Sequence, residues 1–270
     1  MHIGITSIVY HNRSFEHFVR TVAAQGYEAV ELQFVLNFYQ HFNAFQLLQE
    51  SRRMDEIKAL VSRHHLRISA LDGHGLGWRT PAHRNFVVGY LRACIDVAER
   101  LGCPVVITSC YPPPGNVDRD ERLREVLTEL KGAARYAGDR GITLCVESEA
   151  GFLIGNSETL ASVLAEPGME NVGINFDPSH FAAVGEEVEK AAAGFAHRIV
   201  HVHVKDTMDE TEQPHLRKNG PGMKTVRTLL KKGFDGTFSV EFKAEDLFVR
   251  EPEELSRQAM EMLRSVLAKT

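Results

Sequence analysis

Three carboxylates and one histidine sit at matching places in the second half of the chain. Glu147 ends the segment Ile142–Glu147, Asp177 ends Val172–Asp177, His203 lies inside Ile199–Lys205, and Glu241 ends Thr237–Glu241. Each segment has the length and apolar content of a short buried strand. Successive strand residues point to opposite sides, so each segment sorts into two sets. Ile142, Leu144 and Val146 oppose Thr143, Cys145 and Glu147; Val172, Ile174 and Phe176 oppose Gly173, Asn175 and Asp177. Val200, Val202 and Val204 oppose His201, His203 and Lys205; Phe238, Val240 and Phe242 oppose Thr237, Ser239 and Glu241. The polar sets face a common interior and the apolar sets face a covering layer. A lone glutamate at a strand end is ordinarily a cap or surface group, and a lone histidine on a strand is ordinarily a hydrogen-bonded core residue. Four such residues on the matching face of four consecutive strands point instead to a shared ligand. Three converging carboxylates repel one another and lose hydration, so without a cation at least one takes up a proton. A divalent metal removes that conflict. Three carboxylates and one imidazole suit Mn²⁺ first, with Mg²⁺, Co²⁺ or Zn²⁺ also compatible.

The elements that position these residues follow from the rest of the chain. Strand-like segments at Ile3–Ser7, Ala29–Gln33, Arg67–Leu71 and Val105–Ser109 precede the four above, giving eight. Each is followed by a segment with helical potential. Ser14–Gln25, Asn85–Leu101, Arg119–Arg140 and Met223–Lys232 are helices, three closed by Gly26, Gly102 and Gly233 and the third followed by Gly141, and Glu251–Ala268 is the last. Alternating strands and helices predict an α/β fold with a parallel sheet. The count of eight, and a first turn, Thr6-Ser7-Ile8-Val9-Tyr10, without a glycine-rich phosphate loop, favour a closed (β/α)8 TIM barrel over an open doubly wound sheet. The 270 residues fit one such domain, 1–270. Barrel enzymes place their chemistry at the C-terminal ends of the strands, where all four residues fall.

Composition narrows the function. A formal net charge of -5 lacks the basic face of a nucleic-acid binder. No apolar run reaches the length of a membrane span, and the opening Met1–Thr6 reads as a first strand and not as a targeting signal. Cys94, Cys103, Cys110 and Cys145 form no CxxC pair and read as buried thiols, consistent with a cytoplasmic location. Secondary candidates lie near the same rim. His74 and Trp78 follow the third strand in a glycine-rich loop, where Trp78 could stack on a substrate or anchor the loop. Lys205 shares parity with His203 and could contact substrate or pair with Asp206 or another acid. Glu31 and Gln33 share the inward face of the second strand, His201 lies one layer below His203, and Arg79 and Arg84 are weak phosphate candidates. The aromatic stretch Phe34–Phe45, with Phe38, Tyr39 and Phe42, reads as a rim cover or a subunit contact.

The segments Ser14–Gln33, Ala98–Thr108, Arg140–Glu147, Asn175–His180 (NFDPSH), His201–Asp206 (HVHVKD) and Asp235–Lys243 (DGTFSVEFK) together resemble the sugar isomerase/epimerase superfamily of xylose isomerase-like barrels. The resemblance spans nearly the whole chain. It implies that Glu147, Asp177, His203 and Glu241 are metal ligands, that Glu147 and Glu241 are also the acid/base pair, and that His180 touches substrate. It also implies a homodimer or homotetramer built through barrel helices. Two departures bear on the substrate. Where many relatives carry a Gly-Glu-Gly-like turn, this chain has Asn219-Gly220-Pro221-Gly222. Where ketohexose epimerases carry an arginine six residues after the histidine ligand, it has Asp209, leaving Arg217 as the nearest substitute.

The chemistry these residues suit is proton transfer next to a carbonyl in a small sugar or keto-polyol, through an enediolate stabilised by the cation. Delivery of a proton from the opposite face gives epimerisation, delivery to the neighbouring carbon gives isomerisation, and loss of a β-hydroxyl makes the enzyme a dehydratase acting on a keto-inositol or related keto-polyol. A non-catalytic sugar-binding barrel is a further reading, opposed by the intact glutamate pair. A DNA-repair endonuclease is opposed by the acidic balance and the single ligand set.

Overall fold

The computed structural model describes residues 1–36, 41–73, 75–78, 80–112, 115, 117–206, 216–242 and 251–268. The strands are β1 (His2–Thr6), β2 (Ala29–Gln33), β3 (Arg67–Asp72), β4 (Val105–Thr108), β5 (Thr143–Glu147), β6 (Gly173–Phe176), β7 (Ile199–Val204) and β8 (Thr237–Val240). They pair in parallel in chain order and close, with β1 bonded to β8. The chain is a (β/α)8 TIM barrel, as the alternation predicts. The helices between and after the strands are α1 (Phe15–Gln25), α2 (Ala44–Gln49), α3 (Ser51–Arg63), α4 (Pro81–Leu101), α5 (Arg119–Gly138), α6 (Ser157–Leu164), α7 (Pro178–Ala183), α8 (Val188–Phe195), α9 (Pro221–Lys231) and α10 (Pro252–Leu267).

Local chemistry sets the helix boundaries. The Ser14 side chain accepts from His17 N at the start of α1, and Gly26 ends it in the left-handed conformation at φ 89°. Helix α4 starts at Pro81, four residues before the expected Asn85. Thr80 caps His83 N, and Pro81 takes the first position, where a missing N–H is harmless. The long connection after β2 holds two helices, α2 and α3, and the connection after β6 holds α7 and α8.

The apolar sides of the strands pack on the helices in one large core containing Leu144, Val146, Ile174, Phe176, Val202, Val204, Phe238 and Val240. A small second cluster of Ala70, Val105, Ile107 and Cys145 fills the barrel interior. Val200 corrects the alternation. Strict alternation puts it on the helix-facing side with Val202 and Val204, yet it packs on the interior cluster. Between β6 and β7 the register runs Ile174 to Ile199 and then Asn175 to His201, so Val200 is one extra residue and the alternation restarts after it. Gly173 makes the room: a Cβ there would stand 2.7 Å from Val200 Cγ2 and 2.8 Å from Cys145 Sγ. A similar shift between Val30 and Glu31 leaves Ser69 of β3 unpaired in register, its hydroxyl donating to Val30 O at 3.3 Å. Both irregularities lie directly beneath the polar layer at the C-terminal rim.

Candidate metal centre

Counting up two residues from the interior cluster gives the next layer. Cys145 leads to Glu147, Ala70 to Asp72 and Ile107 to Ser109, while Glu31 and His201 flank them on β2 and β7. Asp177 follows β6 and caps α7, with Oδ1 accepting from Ser179 N at 2.8 Å. Glu241 follows β8, its N–H donating to Val204 O. Ligand atoms of Glu147, Asp177, His203 and Glu241 all lie within 4.8 Å of one another. His203 Nδ1 is 2.8 Å from Glu241 Oε2 and 3.4 Å from Glu147 Oε1. Neighbouring ligands of an octahedral ion with bonds near 2.1 Å stand about 3 Å apart. Asp177 Oδ2 and Glu241 Oε2 are buried and have no hydrogen bond of their own. An oxygen-rich donor set with unsatisfied buried carboxylate atoms fits a divalent cation.

Two cations of the chain itself hold this charge in part. Lys205 Nζ donates to Glu241 Oε1 at 3.0 Å and lies 3.4 Å from Asp177 Oδ2. Burial works against charge on Lys205, but Glu241, Asp177 and Glu147 outweigh it and hold its pKa well above the ordinary lysine value. Burial likewise opposes charge on His203, and Glu31, Glu241 and Glu147 prevail, raising it well above an ordinary histidine. On Glu241 the upward push of burial is overcome by Lys205 and His203, which hold the carboxyl well below the usual range. His180 Nε2 faces the same group, 3.5 Å from Asp177 Oδ2 and 3.9 Å from Glu147 Oε1. Of the candidate substrate contacts, Lys205 and His180 therefore stand at the cluster, with Lys205 ion-paired to acids other than Asp206.

The other candidates are placed differently. Trp78 is 6 % exposed and belongs to the helix-side core. The guanidiniums of Arg84 and Arg122 lie 5.4 and 5.0 Å from its ring, and Arg84 is ion-paired to Glu129. These contacts make Trp78 a loop anchor and commit Arg84 to structure. Arg217 N donates to Asp206 Oδ2 at 2.7 Å, and its Nε is 3.7 Å from the same atom. Asp206 Oδ1 accepts from Gly222 N at 2.7 Å. A Cβ on Gly220 would stand 2.1 Å from Asp206 Oδ2, so the Asn219–Gly222 turn is built around that carboxylate. Phe42 is buried against Phe15, with ring centroids 4.8 Å apart. His74, Arg79, Phe38, Tyr39 and Asp209 lie outside the described residues.

Several residues of the site carried a weak signal or none in the sequence. Glu31, expected only as a wall residue, is fully buried with Oε1 3.0 Å from His203 Nε2 and Oε2 3.4 Å from His201 Nε2. Burial lowers the His201 pKa to about 4 against the pull of Glu31. Asn175 Nδ2 donates to Glu147 Oε2 at 3.0 Å and stands 3.1 Å from His203 Nδ1. Asp72 closes β3 in register with Gln33, and burial together with Glu147 and Glu31 raises its pKa well above the carboxylate range. Glu149 is pushed up to about 8 by burial and by Glu147. Gln33 Oε1 is buried without a hydrogen bond. Asp72 and Gln33 thus pair in register at the C-terminal ends of β3 and β2.

The chain belongs to the xylose isomerase-like TIM barrel family, whose model matches residues 19–266. It is 25% identical over 258 residues to an uncharacterized protein of Methanocaldococcus jannaschii, covering 90% of this chain and 84% of that one. It is 23% identical over 197 residues to inosose isomerase of Bacillus velezensis, covering 68% of this chain and 69% of that one. The fold matches the crystal structure of IolI protein with a bound zinc atom at TM-score 0.81 and 16% identity, over 100% and 99% of the two chains. It matches D-psicose 3-epimerase of Clostridium cellulolyticum H10 with D-tagatose at 0.79 and 14%, over 99% of each. Among the described residues, no helix is long and apolar enough to cross a membrane.

Proposed function

We propose that this protein is a divalent-metal-dependent isomerase or epimerase of a small sugar or keto-polyol, with Glu147, Asp177, His203 and Glu241 holding the ion. One observation carries the reading: the ligand atoms of these four residues converge within 4.8 Å at the C-terminal rim of the barrel. When bound, the cation supplies Lewis-acid polarisation of a substrate carbonyl and neutralises the surrounding carboxylates. Glu147 and Glu241 arrive from β5 and from the end of β8, and they form the acid/base pair. One takes a proton from the carbon beside the carbonyl, leaving an enediolate, and the other returns a proton to complete epimerisation or isomerisation. Lys205 and His180 bind substrate oxygens beside Asp177. The intact pair of glutamates argues against a non-catalytic barrel. The inosose isomerase relative and the D-psicose 3-epimerase neighbour support a cyclic or open-chain polyol with a ketone. Mn²⁺ is the preferred ion for an oxygen-rich site, with Mg²⁺, Co²⁺ and Zn²⁺ compatible, and the zinc atom bound by the IolI neighbour supports a divalent ion.

The test is deuterium exchange. The Mn²⁺-loaded protein is incubated in D₂O with keto-inositols, ketohexoses and hydroxypyruvate, beside Glu241→Gln and a chelator-treated control. Deuterium at a carbon next to the carbonyl, lost in both controls, is the expected result. A product lighter by one water would replace isomerisation with dehydration on the same residues. No exchange with any compound by a protein holding one ion per chain would count against the substrate class.

A further inference from the structure

Beneath the four candidate ligands lies a closed set of buried polar contacts. Glu31, Asn175, His201 and His203 are all at most 2 % exposed. The orientation of the Asn175 amide is fixed by Glu147: a carboxylate oxygen only accepts, so the atom 3.0 Å from Glu147 Oε2 is the NH₂ group. The same NH₂ group is 3.1 Å from His203 Nδ1, and the amide oxygen is 3.0 Å from His201 Nδ1. For a neutral His203, the form that can ligate a metal, one arrangement satisfies these contacts. Nδ1 carries the lone pair, towards Asn175 and the acid cluster. Nε2 carries the hydrogen and donates to Glu31 Oε1 at 3.0 Å.

The same logic makes His201 Nδ1 a donor to Asn175, which leaves the neutral His201 with a bare Nε2. That nitrogen is 3.4 Å from Glu31 Oε2, and neither atom has a hydrogen bond. Two buried acceptors facing each other are unfavourable to the fold. The carboxylate at position 31 is therefore not the choice that stability alone would make. Glutamine would keep the acceptor for His203 and turn an NH₂ group towards His201 Nε2. What glutamine cannot supply is a negative charge behind the imidazole of His203, which strengthens the Nδ1 lone pair as a metal ligand.

We propose that Glu31 is a positioning residue for the candidate metal centre. Reaching across the barrel from β2, it holds the Nε2 hydrogen of His203 so that the Nδ1 lone pair faces the ion. Affinity for the cation then depends on a carboxylate that is not itself a ligand. This inference rests on the ligand set proposed above.

The experiment compares wild type and Glu31→Gln by calorimetric Mn²⁺ titration and by thermal melting after metal removal. Positioning predicts Mn²⁺ binding about 10- to 100-fold weaker in Glu31→Gln. It also predicts a metal-free melting temperature no more than about 4 °C below wild type, since glutamine keeps the acceptor for His203 Nε2 while Glu241 and Glu147 still face the imidazole. Binding within twofold of wild type overturns the proposal. So does weaker binding accompanied by a metal-free melting temperature lower by 10 °C or more (on the order of several kcal/mol), the pattern of a merely structural residue. Two ions per chain would make Glu31, His201 and His203 a second metal site and overturn it also. A wild-type protein that binds no ion overturns the ligand set itself, a failure distinct from the loss of Glu31's role alone. A second measurement needs no variant. In Zn²⁺-loaded wild type labelled with ¹⁵N-histidine, His203 is expected to show a protonated Nε2 and a metal-shifted Nδ1. The reverse assignment overturns the proposal.

Discussion

Replacing Asp177 by asparagine separates the metal centre from the fold that carries it. Asp177 is fully buried, and its two oxygens do different work. Oδ1 caps α7 through Ser179 N, while Oδ2 faces Lys205 Nζ at 3.4 Å and His180 Nε2 at 3.5 Å with no hydrogen bond of its own. Asparagine keeps the volume and caps as well as aspartate, so the contribution of the cap, about 1 kcal/mol, is retained. Lys205 keeps its bond to Glu241 at 3.0 Å, and one source of carboxylate repulsion disappears. The metal-free variant should therefore melt within about 4 °C of wild type, the shift set by roughly 1 kcal/mol in a chain of this size. Metal binding should change far more. With the ion bound, losing one anionic ligand leaves a buried charge under-compensated, at a cost of about 3–5 kcal/mol, which is roughly two to four orders of magnitude in affinity. Chelator-competition titration with Mn²⁺ at pH 7.5, beside melting curves without metal, measures both quantities. A variant that binds Mn²⁺ within fivefold of wild type and melts normally would refute the placement of Asp177 in the ligand set.

Four further outcomes follow. The raised pKa of His203 means that a cation must displace its Nδ1 proton, so Mn²⁺ affinity should rise about tenfold per pH unit below that pKa and level off above it; a flat profile from pH 6 to 8 would remove His203 from the ion. The stability His203 lends the metal-free fold is full below its unfolded value near 6.5 and is lost as pH rises through the raised folded value, so metal-free melting should decline towards alkaline pH. Asp72→Asn should leave Mn²⁺ affinity within about threefold while raising KM about tenfold for a substrate identified by deuterium exchange, the effect of losing one net hydrogen bond from a protonated carboxyl; a collapse of metal affinity instead would place Asp72 at the ion. Gly173→Ala should destabilise the fold by about 1–3 kcal/mol through the contacts with Val200 and Cys145, read as a melting temperature lower by several degrees; unchanged melting would contradict the packing of the β6–β7 bulge.

Much of the barrel was legible because its strands are short and alternate over most of their length. Parity alone brings Glu147, Asp177, His203 and Glu241 to one end, since one side of each strand had to meet the helices. What parity misses is the extra residue. Nothing in Ile199-Val200-His201-Val202 marks Val200 as the bulge, because a valine suits either side and the bulge depends on Gly173 of the neighbouring strand. The role of Glu31 was hidden for a related reason: it meets His203 from 172 positions away in the chain, and a wall residue and a histidine partner look alike from β2. Asp72 falls under the same parity, two residues beyond Ala70, but the strand-like segment Arg67–Leu71 stops one residue short of it. Trp78 was open between stacking on substrate and anchoring its loop because a glycine-rich rim loop suits both, and its partners Arg84 and Arg122 come from α4 and α5.

The central claim, that these four side chains hold one divalent ion at the rim, is tested most directly by anomalous scattering from crystals of the Mn²⁺-loaded protein. The account predicts one strong peak per chain at about 2.1–2.2 Å from oxygens of Glu147, Asp177 and Glu241 and from Nδ1 of His203, bond lengths expected of such an ion. No peak under saturating Mn²⁺, or a single peak bound through Glu31, His201 and His203 Nε2, would contradict it.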